Sequence, residues 1–167
     1  MNKSVRVTLN LKRNLIRKII TPFLPYFYDT HVEIGGKTNK LIVGNRVALA
    51  NTVFNLSSGN IFVGDRTIFT PGVMVITGTH LFKNGMRVSL NPEMDDGSWG
   101  GNSHEVPKNG RDIKIGIGCF VGSGAIILGG VNIGDHCIIG AGSVVTKDVP
   151  NGSVVMGVTG RIVQKNV

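Results

Sequence analysis

The chain has 167 residues, of which 41% are hydrophobic and 24 are glycine, and its formal net charge is +8. That fits one domain with a real core; glycine stands at about twice its average usage of ~7% but not at every third position, which excludes collagen. No stretch approaches the ~20 apolar residues of a membrane span, no apolar run with a small-residue cleavage site marks a signal peptide, and no zinc-finger spacing or aromatic-interleaved basic stripe points to nucleic acid.

Taken in chain order, the first feature is a basic end. Lys3, Arg6, Lys12, Arg13, Arg17 and Lys18 precede Asp29, the first acidic residue. Such an end suggests an anionic partner, either a membrane surface or a phosphorylated ligand. LNLKRNLIRKII sets Leu11, Leu15, Ile16, Ile19 and Ile20 at helical spacing with charges between them, which predicts a short amphipathic α-helix ended by Thr21-Pro22. PFLPYFY, with two prolines, reads as an extended lead-in. Residues 1–40 are therefore expected to form a basic helix and lead-in before a main domain over 41–163, leaving a tail at 164–167.

From residue 43 onward the chain repeats every six residues. VGNRVA and LANTVF come first, then NLSSGNIF, which is two residues longer than a hexad, then VGDRTI, FTPGVM and VITGTH. After a break, the chain from Ile115 reads IGIGCF, VGSGAI, ILGGVN, IGDHCI, IGAGSV, VTKDVP, NGSVVM. The first position is aliphatic in all of these last seven but one. The fifth is small or β-branched throughout: Cys119, Ala125, Val131, Cys137, Ser143, Val149 and Val155. A hexad of this kind is a short strand plus a corner, with its first and fifth residues facing inward and glycine easing the corner. Three hexads close a triangular turn of eighteen residues. The turns stack at the ~4.8 Å strand spacing, because one hexad cannot bury its apolar face alone. The predicted fold is all-β, a parallel β-helix of hexapeptide repeats. The long hexad makes the stretch from Val43 to Phe62 a coil of twenty residues.

Residues 81–114 interrupt the repeat. They are rich in Asn, Gly, Asp and Pro, and they hold Trp99, His104 and Glu105. A loop this long inside a regular coil is usually functional or disordered. His80 ends the ITGTH hexad immediately before it. An imidazole there, with its unperturbed pKa near ~6.5, suits proton abstraction from a hydroxyl or amine; a solvated corner histidine is the plain alternative. His104 and Glu105 are candidates for a second acid or base, against an ordinary polar loop. Cys119 and Cys137 lie eighteen residues apart at the inward fifth position, so they read as stacked core residues. Two cysteines make no disulfide framework, which favours a cytoplasmic location.

The GTH before the loop, followed by GSGAIILGGVNIGDHCIIGAGSVVTKDVP, resembles the hexapeptide-repeat acetyltransferases. The likeness is nearest to the galactoside and maltose O-acetyltransferases and related glycan O-acetyltransferases, and it spans residues 43–163. It implies a left-handed coil, acetyl-CoA as co-substrate, and a site between two subunits of a homotrimer. His80 maps onto the family's general base. The asparagine near the acceptor maps best onto Asn51, less well onto Asn55. Ser123 maps onto the serine whose backbone N–H stabilises the oxyanion. Ala141, Thr146 and Lys147 fall where the family contacts coenzyme A, and Arg161 of GVTGR takes the place of the terminal arginine. Lys147 and Arg161 suit the coenzyme's phosphates, although plain surface charge is the alternative.

There are departures from the family pattern. The usual proline of the terminal segment is Thr159, the usual aromatic before Gly-Ser is Phe120, three residues ahead of Ser123, and the loop is longer than in the galactoside enzymes. Some left-handed β-helices are carbonic anhydrases with three histidine ligands. The histidines available, His31, His80, His104 and His136, include no closely spaced pair after the loop, so no metal site is expected.

The resemblance implies acetyl transfer to a sugar or glycan hydroxyl. The alternatives are an amino-sugar N-acetyltransferase, an antibiotic acetyltransferase, or a non-catalytic scaffold. Serine acetyltransferase is disfavoured because its large helical N-terminal region has no room here. The basic helix is expected either to cap the open end of the coil or to hold the protein at the inner face of a membrane.

Overall fold

The computed structural model describes residues 31–33, 39–80, 82–84, 86–87 and 110–165. The expected amphipathic helix, the tail end at 166–167, and His104 and Glu105 lie outside the described residues.

The described chain winds through three flat faces of short parallel strands. The first face stacks His31–Glu33, Val53–Asn55, Met74–Ile76, Ile126–Leu128 and Val144–Val145. The second stacks Leu41–Val43, Ile61–Val63, Ile113–Ile115 and Asn132–Ile133. The third stacks Ile68–Phe69, Phe120–Val121, Ile138–Ile139 and Ser153–Met156. Each coil passes from second face to third to first. Phe120 lies against Ile138 and Ile126 against Val144, a pitch of eighteen residues. The lower coil is the expected one of twenty, with Leu41 against Ile61.

The inward columns follow the hexad. Ile115, Val121, Ile127, Ile133, Ile139 and Val145 fill the first position and are buried. Cys119, Ala125, Val131, Cys137 and Ser143 fill the fifth and are buried too. Each buried aliphatic side chain contributes about 1.5–3 kcal/mol. Phe54 and Phe69 meet edge to face at 5.6 Å in the lower coils.

The structure corrects the repeat phase in three places. In the lowest coil Val53 was expected inward, but Thr52 and Phe54 are the buried residues and Val53 pairs outward with Met74. The corner at Ala50 and Asn51 closes with one residue fewer, and Leu56 and Ser58 continue the inward alternation to Ile61. Thr79, expected inward, is exposed. Thr77 is the last buried residue before the interruption; its strand ends at Ile76, and the chain runs on to exposed Thr79 and His80. In the top coil Val149 bridges Ile133 and Val155 pairs with Ile139, a pitch of sixteen. The VTKD corner therefore lacks two residues: Val149 and Val155 stand over first positions, and Ser153 takes the fifth.

The interruption is shorter than expected at its far end. Ile113 and Lys114, read as loop, belong to a strand paired with Ile61 and Phe62. At its near end Phe82–Lys83 pairs antiparallel with Met86–Arg87. Above the last coil the chain turns at residues 157–160 and returns as Arg161–Lys165, antiparallel to Ser153–Met156.

Corners are sealed by side chains of the coil above. Asp65 Oδ1 accepts from Asn45 N at 2.8 Å, Asp135 Oδ1 from Ile117 N at 2.7 Å, and Asn151 Oδ1 from Asp135 N at 2.9 Å. The inward residues beside this corner form a second ladder. Thr67 Oγ1 donates to Gly116 O at 2.8 Å, Cys119 Sγ to Gly134 O at 3.1 Å and Cys137 Sγ to Pro150 O at 3.1 Å. Ser153, next in the column, has no further coil above it among the described residues, and its buried Oγ has no partner among them. Both cysteines are thus core donors. Burial pushes the Cys119 thiol from 9.0 up to about 11.

Candidate active site

The residues singled out in the sequence gather at two corners. The Ser123 corner joins the third and first faces. It is built by Asn51, Pro71 and Gly72, Ser123 and Gly124, and Ala141 and Gly142 in successive coils. Gly72, Gly124 and Gly142 have φ of 80°, 69° and 67°, and Asn51 takes the same place at 55°. The column needs a left-handed backbone, which only glycine, with asparagine as second choice, adopts easily.

This corner differs from the Asp135 corner in one chemical respect. There the amide at the third position is taken by an Asx side chain from the coil above. Over Ser123 the corresponding residue is Ala141, which has no acceptor. The neighbouring amides of Gly122 and Gly124 donate to Ile139 O and Pro71 O, while the Ser123 N–H meets no acceptor among the described residues. It is left on an exposed turn, available to a ligand oxygen. The Ser123 hydroxyl is tied down instead, donating to Thr70 Oγ1 at 3.1 Å, which itself donates to Val121 O at 2.8 Å.

Arg161 stands near the top of this corner. Its strand follows a turn whose Gly157 N donates to Ser143 Oγ at 3.1 Å and whose Gly160 N donates to Val144 O at 2.7 Å. Arg161 is exposed, and so is Ala141.

The second corner joins the first and second faces and carries His80. Here the coil opens for the interruption. His80 is exposed, three residues past buried Thr77. Beneath it lies Asn55, paired in register with Ile76. Asn55 Oδ1 accepts from Gly78 N at 3.1 Å, Ser57 N at 3.2 Å and Ser57 Oγ at 2.6 Å. Asn55 O accepts from Thr77 N at 3.0 Å and Thr77 Oγ1 at 2.9 Å. Above it the chain re-enters: Arg111 Nε donates to Thr77 O at 3.1 Å, and Asp112 Oδ1 accepts from Asn60 N at 2.7 Å. Gly129 and Gly130 form the same corner in the next coil, and Thr146 and Lys147, both exposed, in the one after.

The structure therefore brings His80, Thr146 and Lys147 to one corner, and Asn51, Ser123, Ala141 and Arg161 to another. One side of the triangle separates them, six residues or roughly 20 Å at full extension. Asn51 sits far along that side from His80; Asn55 lies directly below the His80 segment. Arg111 and Asn55 are the neighbours that sequence reading underrated. The signal for Asn55 was its place at the degenerate hexad, and Arg111 gave none, since it reads as loop. His136 is exposed at the Asp135 corner, as expected of a solvated residue. Among the described residues no group of three His, Cys, Asp or Glu side chains could hold a metal.

A family model for the bacterial transferase hexapeptide (six repeats) matches residues 112–147. No curated protein sequence matches the chain. Among solved structures, a maltose O-acetyltransferase from Clostridium difficile 630 is 26% identical, with a TM-score of 0.52 over 82% of this chain. The match spans 66% of that enzyme's length. A hexapeptide-repeat acetyltransferase from Vibrio cholerae O1 biovar eltor, complexed with acetyl coenzyme A, is 20% identical with a TM-score of 0.58. It covers 95% of this chain and 78% of its own. A galactoside acetyltransferase in complex with coenzyme A is 21% identical with a TM-score of 0.53, covering 95% of this chain and 72% of its own. The last two are likenesses of fold. By repeat, coil and structural neighbours alike, this chain is a left-handed parallel β-helix of hexapeptide repeats, similar in fold to the hexapeptide-repeat acetyltransferases.

Proposed function

We propose that the chain is an acetyl-CoA-dependent O-acetyltransferase that modifies a sugar or glycan hydroxyl, with His80 as general base. The observation that carries this reading is His80 itself: an exposed imidazole at a corner where the coil opens, on a segment fixed from below by Asn55 and from above by Arg111. The acetyl-CoA and coenzyme A held by the neighbours of the same fold support the co-substrate, and the maltose O-acetyltransferase supports a sugar acceptor.

The chemistry is direct transfer. Neutral His80 takes the proton of the acceptor hydroxyl as its oxygen attacks the thioester carbonyl carbon. The carbonyl oxygen becomes an oxyanion, and the open Ser123 N–H suits its stabilisation. Collapse breaks the carbon–sulfur bond, and the thiolate leaves with the proton held by His80. No protein nucleophile is required, in keeping with the buried, protonated state of Cys119. Lys147 and Arg161 suit the coenzyme's phosphates.

One chain keeps the His80 and Ser123 corners a full side apart, so a homotrimer, with the site between subunits, supplies the missing half. The exposed Ile68, Phe120 and Met74 support this. They lie on the two faces that meet at the Ser123 corner; the upper coils of the second face present Lys114, Asn132 and Asp148, and its exposed Ile42 and Val43 lie on its lowest strand. The basic residues before Asp29 support peripheral contact with an anionic membrane on the cytoplasmic side.

The test is thiol release from acetyl-CoA with a panel of neutral and amino sugars, for wild type and His80→Ala. A loss of about 10²–10⁴-fold in the variant is expected, with neutral sugars as acceptors. Full activity in the variant removes His80 as base, and turnover with amino sugars alone makes the protein an N-acetyltransferase.

A further inference from the structure

We infer that Arg111 is the positioning residue for His80, a role that rests on the function proposed for that histidine. His80 lies on a segment that runs on past its strand, which ends at Ile76, and contacts at residues 77 and 78 set the course of that segment. From below, Asn55 Oδ1 accepts from Gly78 N. From above, Arg111 Nε donates to Thr77 O at 3.1 Å. Thr77 is fully buried and three residues from His80, so a bond to its carbonyl helps to set the direction in which the segment leaves.

Arg111 is itself held at the far end of the interruption. Its neighbour Asp112 accepts from both Asn60 N and Asn60 Nδ2, which fastens the returning chain one coil above the exit. The guanidinium then reaches back and lies across the next corner, at Gly129. A Cβ on Gly129 would stand 2.7 Å from Arg111 Nε, 2.7 Å from Nη2 and 2.8 Å from Cζ. Gly129 is not among the glycines of positive φ. Positive φ does not call for glycine there, and the three atoms nearest to an added Cβ all belong to Arg111. Gly130, beside it, has φ of 91° and is a turn glycine. Gly129 and Arg111 therefore form one device, a flat fork seated in a notch, with a donor on the carbonyl of the exit segment's Thr77. A lysine lacks that planar fork.

The test uses the full chain with Arg111→Ala and Gly129→Ala, and with Lys114→Ala as a control on the outer surface of the second face. Gly129→Ala leaves the arginine in place but displaces it, so the two variants reach the same contact by different routes. Circular dichroism confirms that each is folded. Amide hydrogen exchange over residues 77–80 and the NMR signal of the His80 Cε1–H are then compared. Exchange is expected to rise by ~10-fold or more in both variants, with a shifted or broadened His80 signal and no change in the control. In thiol release from acetyl-CoA, kcat is expected to fall ~10-fold or more with KM for acetyl-CoA within about twofold. Unchanged protection and an unchanged His80 signal in both variants overturn the inference. If His80→Ala keeps full thiol release while Arg111→Ala still loosens residues 77–80, the catalytic reading falls and the positioning stands.

Discussion

Asn55→Ala tests which asparagine serves the His80 corner. The side chain it removes accepts three hydrogen bonds, from Gly78 N, Ser57 N and Ser57 Oγ. Each bond of this kind is worth about 1 kcal/mol net, and an amide left without its acceptor in a half-buried place costs more. Part of that loss is recovered by water, because Ser57 and Gly78 are half-buried and not sealed off. The expected destabilisation is thus about 2–3 kcal/mol, or roughly 4–12 °C in Tm for a chain of this size. Asn51→Ala is the contrast. Asn51 is exposed, and what alanine loses there is tolerance of φ 55°, about 1 kcal/mol or less. Urea unfolding at one fixed protein concentration measures both variants, with the slope checked to be unchanged. Loss of activity on top of loss of stability is expected for Asn55→Ala, since the Gly78 amide it frees lies two residues before His80. If Asn55→Ala falls within about 0.5 kcal/mol of wild type, the hydrogen-bonded frame described for this corner is wrong.

Two further predictions concern the coil. Gly134→Ala places a Cβ within 2.6 Å of Asn151 N and 2.9 Å of its Cα in the coil above, so a loss of about 1–3 kcal/mol from overpacking is expected; a neutral result in urea unfolding would refute so close a stack. The Cys119 thiol, raised by burial from 9.0 to about 11, stays protonated in the fold while the unfolded thiol ionises. Between pH 9 and about 11 the folded state binds more protons than the unfolded one, so stability falls as pH rises through that window. Cys119→Ser, which keeps a donor for Gly134 O, is expected to flatten that decline in pH-dependent unfolding; an identical slope would remove Cys119 as its source. At pH 8 a thiol reagent should label neither cysteine until the chain unfolds, because both are buried.

The period of six by itself determined most of the coil. Aliphatic first positions and small fifth positions are what a narrow prism can bury, and the residues they name are buried from Ile115 to Val145. The extra length of the lowest coil was legible for the same reason, since stacking demands that each added residue appear as a longer pitch. Where the pattern weakened, spacing alone could not say which residue turns inward. Thr52 and Phe54 replaced Val53, and Val149 took a first position, because the corners at Ala50 and at VTKD close with fewer residues than a hexad holds. Only the stacked neighbours decide that.

The site divides along the same line. His80 and Ser123 could be named from the break in the repeat and from the family likeness. That they stand at different corners of one chain, that Ala141 leaves the Ser123 N–H open, and that Asn55 and Arg111 hold the His80 segment are all facts of the tertiary structure. The physical reason is that a repeat encodes the direction of each side chain within its own coil. Contacts between coils join residues more than a dozen positions apart, and Arg111 reaches Thr77 across 34, a distance over which sequence spacing carries no signal.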